Sequence, residues 1–124
     1  MAVIVDSDIL IEVFNARNPE LLAKWDNLRQ SDTPILYSPV SAAEVWAGAK
    51  PNEFDETAKL FESLQCIPIE KEIGTQAGHF IRQFSKSHKL GIADALIAAS
   101  AALSGADLWT RNRKHFPMKE LSFF

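Results

Sequence analysis

The feature that most constrains this chain is a rhythm of short apolar runs that stop abruptly, separated by longer stretches with helical spacing. Ala2 to Val5 is a β-branched run that ends at Asp6. Pro34-Ile35-Leu36-Tyr37-Ser38-Pro39, Cys66 to Ile69, and Asp107-Leu108-Trp109-Thr110 have the same character. Such runs, continuous rather than alternating, read as strands buried on both faces. Between them, Ile9, Leu10, Val13 and Phe14, then Leu21, Leu22, Trp25 and Leu28, then Phe54, Ala58, Phe61 and Leu64 recur at helical intervals. Ile73, Ala77, Phe80, Ile81 and Phe84 line one helix face most clearly. The segment from Ile92 to Leu103 carries alanine on nearly every side, which predicts a largely buried helix lying close to a sheet or another helix. Strands alternating with helices imply a parallel sheet covered on both faces. Leu121 to Phe124 either adds a terminal strand or lies against the core as an apolar tail.

At 124 residues the chain matches the common size of one domain, expected to span residues 1–124. Hydrophobic residues at 47% and charged residues at 23% exclude disordered, collagenous and disulfide-framework classes. Cys66 has no partner for an internal disulfide and stands in an apolar stretch, so a buried core thiol is expected. No basic leader precedes the first apolar run, and no apolar stretch approaches the ~20 residues a bilayer requires, so no membrane role is expected and a cytoplasmic location is. The net charge of −3 argues against a broadly basic nucleic-acid surface. Concentrated acids can instead hold a hard cation, which reverses the local field once bound.

Three acids stand at the ends of apolar elements. Asp6 closes the first strand, where ligand sites of open parallel sheets gather; with Ser7 and Asp8 it exceeds what one helix cap requires. Glu44 follows Ser41 by three residues, which fits a capping box at a helix start. Asp94 lies near the start of the alanine-rich helix, where it either complements the helix dipole or faces a cleft, and a buried charge there needs a cation nearby. Converging on one point, the three would repel one another until magnesium or manganese, which prefer oxygen ligands, relieved them.

These residues carry a resemblance. Val3-Ile4-Val5-Asp6-Ser7-Asp8-Ile9-Leu10-Ile11, Val40-Ser41-Ala42-Ala43-Glu44-Val45 and Ile92-Ala93-Asp94-Ala95-Leu96-Ile97-Ala98-Ala99 resemble, in order, the three acidic motifs of PIN domains of the VapC type. Leu108-Trp109-Thr110-Arg111-Asn112 and the residues to Phe116 are similar to the family's closing Thr-x-Asn/Asp segment. The resemblance covers essentially the whole length. It implies a three-layer α/β/α sandwich with a central parallel sheet of four or five strands, and magnesium- or manganese-dependent endoribonuclease activity. It also implies a small antitoxin partner and a homodimer. Carried over by position, Asp6, Glu44 and Asp94 are the metal ligands and Asn112 the fourth catalytic position. Many relatives have an acid at the position of Asn112, of His115, or both. This chain has neither, a departure that touches a second metal site rather than the first.

Two small basic groups, Arg82, Lys86, His88 and Lys89 and then Arg111, Arg113, Lys114 and His115, flank the acidic motifs and suit phosphate contacts. Trp46 and Trp25 are candidates for an antitoxin or dimer contact, with burial in the monomer the other reading for Trp25, and His79 is expected at the surface. No acyl-transfer triad is evident. A haloacid-dehalogenase-like phosphatase with Asp6 as nucleophile is the rival enzyme, since Asp6-Ser7-Asp8 follows an apolar strand. It leaves Glu44 and Asp94 without a role. The other alternative is a catalytically silent PIN-fold module that binds RNA or protein.

Overall fold

A computed structural model describes residues 1–124. Its sheet has four parallel strands, β1 (Val3–Val5), β2 (Ile35–Tyr37), β3 (Gln65–Cys66) and β4 (Asp107–Trp109), in the order β3-β2-β1-β4. Six α-helices surround it: α1 (Ser7–Asn15), α2 (Pro19–Gln30), α3 (Pro39–Gly48), α4 (Phe54–Glu62), α5 (Lys71–His88) and α6 (Ile92–Ser104). The alternating direction of strand side chains assigns the two layers. Ile4, Leu36 and Leu108 enter a core roofed by α5 and α6, with Ile73, Ala77, Phe80, Ile97 and Ala98. Val3, Val5, Ile35, Tyr37 and Trp109 face a second core with Ile9, Leu10, Leu21, Trp25 and Phe61. The three-layer α/β/α expectation therefore holds, and Ala95, Ala98, Ala99 and Ala101 of α6 are buried as its composition predicts. The chain's last residues tend toward a fifth strand. A parallel bridge joins Leu108 to Phe123, the Leu108 N–H donates to the Ser122 carbonyl, and the Phe124 N–H donates to that of Leu108.

Three local readings are corrected. Cys66 is exposed, because β3 is a two-residue edge strand with its pairing on one side only. The strand expected over Cys66 to Ile69 ends early: the Ile67 N–H still donates to the Tyr37 carbonyl, but beyond Tyr37 the partner strand gives way to α3 and leaves nothing to pair with. Helix α3 starts three residues before the expected capping box. Ser38 is its cap, accepting from the Val40 N–H at 3.1 Å, with Pro39 at the first helical position where its missing N–H costs nothing. Ser41 is thus inside the helix and fully buried, its hydroxyl without a partner, and Glu44 is released from any capping duty.

Candidate active site

All four strands are parallel, so their carboxyl ends share one edge, and the helices that follow β1 and β2 start there. The strand order reverses between β1 and β4: the chain winds outward through β2 and β3 and then returns to the other side of β1. Crevices at such reversal points are where open α/β sheets bind ligands. Asp6 immediately follows β1 and Thr110 immediately follows β4, and the Thr110 hydroxyl donates to Asp6 Oδ2 at 2.9 Å across the crevice.

Asp6 caps α1, with its Oδ1 accepting from the Ser7 N–H at 2.8 Å. The side chain is buried, and that burial pushes its pKa up to about 6; the neighbouring Asp8 charge adds to the rise, and Asp94 contributes further. The hydrogen bonds from Thr110 and Ser7 oppose the rise without cancelling it. Asp8 is raised as well, chiefly by burial. Its Oδ2 accepts from the Arg111 N–H at 3.1 Å and lies 3.4 Å from the Thr110 hydroxyl, while its Oδ1 is buried without a partner. One turn further along α1, Glu12 takes the Arg111 guanidinium at 3.0 Å. Asp8 and Glu12 together therefore clamp the turn after β4 to the first helix.

Glu44 is joined to the same locus by a different residue. The Ser7 hydroxyl donates to Glu44 Oε1 at 3.0 Å, tying α3 to the start of α1. Asp94 occupies the first turn of α6, half-exposed, with His115 Nδ1 3.9 Å from its Oδ2. Asn112 enters the network through its backbone N–H, which donates to the Thr110 hydroxyl at 3.1 Å; the residue itself is exposed. Ser7 and Thr110 are thus site residues that the sequence reading did not single out. The available signal was their placement, Thr110 directly after β4 and Ser7 two residues past the end of β1.

Asp6, Glu44 and Asp94 lie at one end of the sheet, but no three of the chain's His, Cys, Asp and Glu side chains stand together as a ready-made metal-binding group. In kind, the donors suit a divalent cation. They are carboxylates, Asp6 being raised first by burial and then by the charges of Asp8 and Asp94; the neighbouring Asp8 presents an orphaned buried oxygen, and no lysine or arginine side chain pairs with Asp6, Asp8, Glu44 or Asp94. A nucleophilic role for Asp6 suits the surroundings less, because both of its oxygens already accept hydrogen bonds.

The basic groups divide. Arg111 is held by Glu12, and Arg113 donates to the Phe124 carbonyl while lying 5.1 Å over the Phe123 ring. Arg82, Lys86, Lys89 and Lys114 are exposed. Trp25 is buried, His79 is exposed, and Trp46 is 39% exposed beside Phe54, their rings 5.8 Å apart. Next to Glu44 a cleft of about 120 Å³ is lined by Ile11, Phe14, Val45, Gly48 and Ala49 among others. No helix is long and apolar enough to cross a membrane.

Known proteins share both the sequence pattern and this architecture. Residues 3–121 match the family model described as PIN domain. The chain is 35% identical over 119 residues to Ribonuclease VapC10 of Mycobacterium tuberculosis, covering 95% of this chain and 88% of that one. Among solved structures it superposes with TM-score 0.80 on a chain of a toxin-antitoxin complex from Klebsiella pneumoniae, at 25% identity over 97% of this chain and 95% of the other. It superposes with TM-score 0.81 on a chain of VapBC2 from Rickettsia felis bound to a promoter DNA fragment, at 22% identity over 100% and 98%. With the PIN-domain model matching nearly the whole chain and a relative 35% identical over 95% of it, the chain belongs to the PIN-domain family, on its VapC branch.

Proposed function

We propose that this chain is a magnesium- or manganese-dependent endoribonuclease and the toxin of a toxin-antitoxin pair, with Asp6, Glu44 and Asp94 holding the cation. The observation that carries the reading is the buried Asp6 carboxylate among further acids with no lysine or arginine paired to it. Likeness to Ribonuclease VapC10 supplies the substrate class. A bound divalent ion supplies Lewis-acid polarisation of a phosphodiester and lowers the pKa of water.

The protein's own groups do the rest. Ser7 and Thr110 fix the orientation of Asp6, and Ser7 also steadies Glu44, so one short segment sets two of the three acids. Asn112 adds a neutral polar group at the fourth position. The exposed Arg82, Lys86 and Lys114 offer phosphate contacts that orient RNA without reading its bases. The antitoxin would cover the apolar surface formed by Ile11, Trp46 and Phe54 around the cleft beside Glu44, where an aromatic anchor suits an interface core. The homodimer and the cytoplasmic location expected from the sequence belong to the same proposal.

Purified chain incubated with structured RNA and magnesium, manganese or chelator tests the activity. Cleavage that requires the ion and disappears in Asp6→Asn and Asp94→Asn is the expected result. RNA binding with no cleavage under any ion would favour the silent module, and phosphate release from a monoester with RNA left intact would favour the phosphatase.

A further inference from the structure

We propose that Lys24 and Arg113 form a phosphate subsite for the RNA strand, beside the Asp6–Thr110 crevice and on the opposite face of the sheet from Arg82 and Lys86. The inference rests on the ribonuclease reading above and deepens it. A cavity of about 330 Å³ opens between α2 and the turn after β4, lined by Lys24, Trp109, Thr110 and Arg111, with Glu20 the one acid in its wall. Thr110 is the residue whose hydroxyl donates to Asp6 Oδ2, so the cavity and the candidate cation site meet at one side chain.

The placement of Lys24 follows from packing. Its neighbour Trp25 is buried with its ring 6.2 Å from that of Trp109, which lays α2 along the end of β4. Glu20 stands four residues before Lys24, the spacing at which acid–base pairs form on a helix, yet no ion pair joins them. The Lys24 Nζ lies instead 4.4 Å from the centre of the Phe124 ring and 5.2 Å from that of Trp109. Aromatic faces attract a cation but leave its charge unneutralised and its donors free. Arg113 reaches the same phenylalanine by its backbone, donating to the Phe124 carbonyl at 3.0 Å with its guanidinium 5.1 Å over the Phe123 ring. It too has no carboxylate partner. Two cations therefore meet on Phe124, and partial burial and then the Arg113 charge both disfavour the Lys24 ammonium. Arg111, the third cation nearby, is already matched by Glu12.

Like charges held together without a counter-ion are relieved by an anion that bridges them. A guanidinium offers a planar fork and an ammonium a mobile point charge, a combination that suits a phosphodiester. Lys24 belongs to the layer of α1 and α2, whereas Arg82 and Lys86 are on α5 across the sheet. A strand laid over the carboxyl edge would thus find cations on both sides of Asp6, contacts that fix its register without reading its bases.

Fluorescence anisotropy of a labelled single-stranded RNA with the full chain, in chelator and over a range of sodium chloride, reads these contacts without cleavage. Lys24→Gln should weaken binding roughly fivefold. It should also reduce the slope of log affinity against log salt by about 0.7, and Lys24→Gln combined with Arg113→Gln by about 1.4. Lys24→Arg should keep both affinity and slope. A role confined to packing on Trp109 and Phe124 would lower the unfolding midpoint of Lys24→Gln and leave the slope unchanged, which would overturn the assignment. Affinity and slope equal to wild type in the double variant, in a chain that still cuts RNA, would overturn the subsite and leave the ribonuclease standing. The same result with lost binding of a cognate antitoxin would give the two cations to the protein partner instead. Wild type that neither binds nor cuts RNA would remove the ribonuclease reading and this subsite with it.

Discussion

Asp6 is a carboxyl group under opposed influences. Burial and the charges of Asp8 and Asp94 favour its protonated form, while the Ser7 N–H and the Thr110 hydroxyl favour the anion, and the balance lies with protonation. A folded-state value near 6 against an ordinary value of 3.8 means the native chain binds the proton that the unfolded chain releases between those pH values. Stability from this group is therefore greatest in acid and falls as pH rises through about 4 to 6. In chelator, wild type should lose roughly 2–3 kcal/mol relative to Asp6→Asn between pH 4 and pH 7, measured by urea unfolding of both proteins. A gap that stays constant across that range would contradict the raised value. A divalent ion should offset the loss at neutral pH, because it replaces carboxylate repulsion with attraction. Ser7 makes a second residue-level prediction. Ser7→Ala leaves the helix cap on Asp6 intact but removes the hydroxyl that steadies Glu44. Cleavage should fall about tenfold with little change in melting temperature, in line with losses seen when groups that orient metal ligands are removed.

Among the elements, α3 is where local sequence and final position diverge most. Ser41-Ala42-Ala43-Glu44 reads as a capping box, yet Ser38 and Pro39 provide an earlier start, and a serine before a proline at the first helical position serves equally well as a cap. The earlier start turns Glu44 toward Ser7 and leaves Ser41 buried with its hydroxyl unmatched. Ser38→Ala should therefore cost about 1 kcal/mol. Ser41→Ala should be neutral or stabilising, since it removes a buried group without a partner. Thermal or chemical unfolding of the two variants checks the assignment, and the reverse order would return the cap to Ser41. At the far edge, β3 stops at two residues because β2 gives way to α3 after Tyr37, and its position at the sheet's edge leaves Cys66 to solvent despite its apolar neighbours.

On the scale of the whole molecule, two cores pack the two faces of the sheet whose carboxyl edge forms the crevice. Trp25 belongs to one of these cores, its ring 6.2 Å from Trp109. Trp25→Ala should cost roughly 3–5 kcal/mol. Trp46 is 39% exposed and packs mainly on Phe54. Trp46→Ala should cost well under that, about 1 kcal/mol or less, yet under the proposed function it should weaken capture by a cognate antitoxin. Paired unfolding and pull-down measurements separate the two effects, and equal antitoxin binding by Trp46→Ala and wild type would move the interface elsewhere.

The layering, the parallel sheet and the place of Asp6 were legible in the sequence because each is written locally, whereas Glu44 and Asp94 had local readings as helix-start acids and were set beside Asp6 by the family resemblance. An apolar run is buried on both faces only in a covered parallel sheet, and an acid at the end of such a run lies at the sheet's carboxyl edge. The links among those acids are not local. Thr110 reaches Asp6 over 104 positions and Ser7 reaches Glu44 over 37, through contacts that exist only once β4 lies beside β1 and α3 beside α1. The start of α3, the exposure of Cys66 and the approach of His115 to Asp94 were likewise decided by tertiary structure. Periodicity specifies which face of an element is buried, whereas the partner of a single polar atom is chosen only when two distant elements pack.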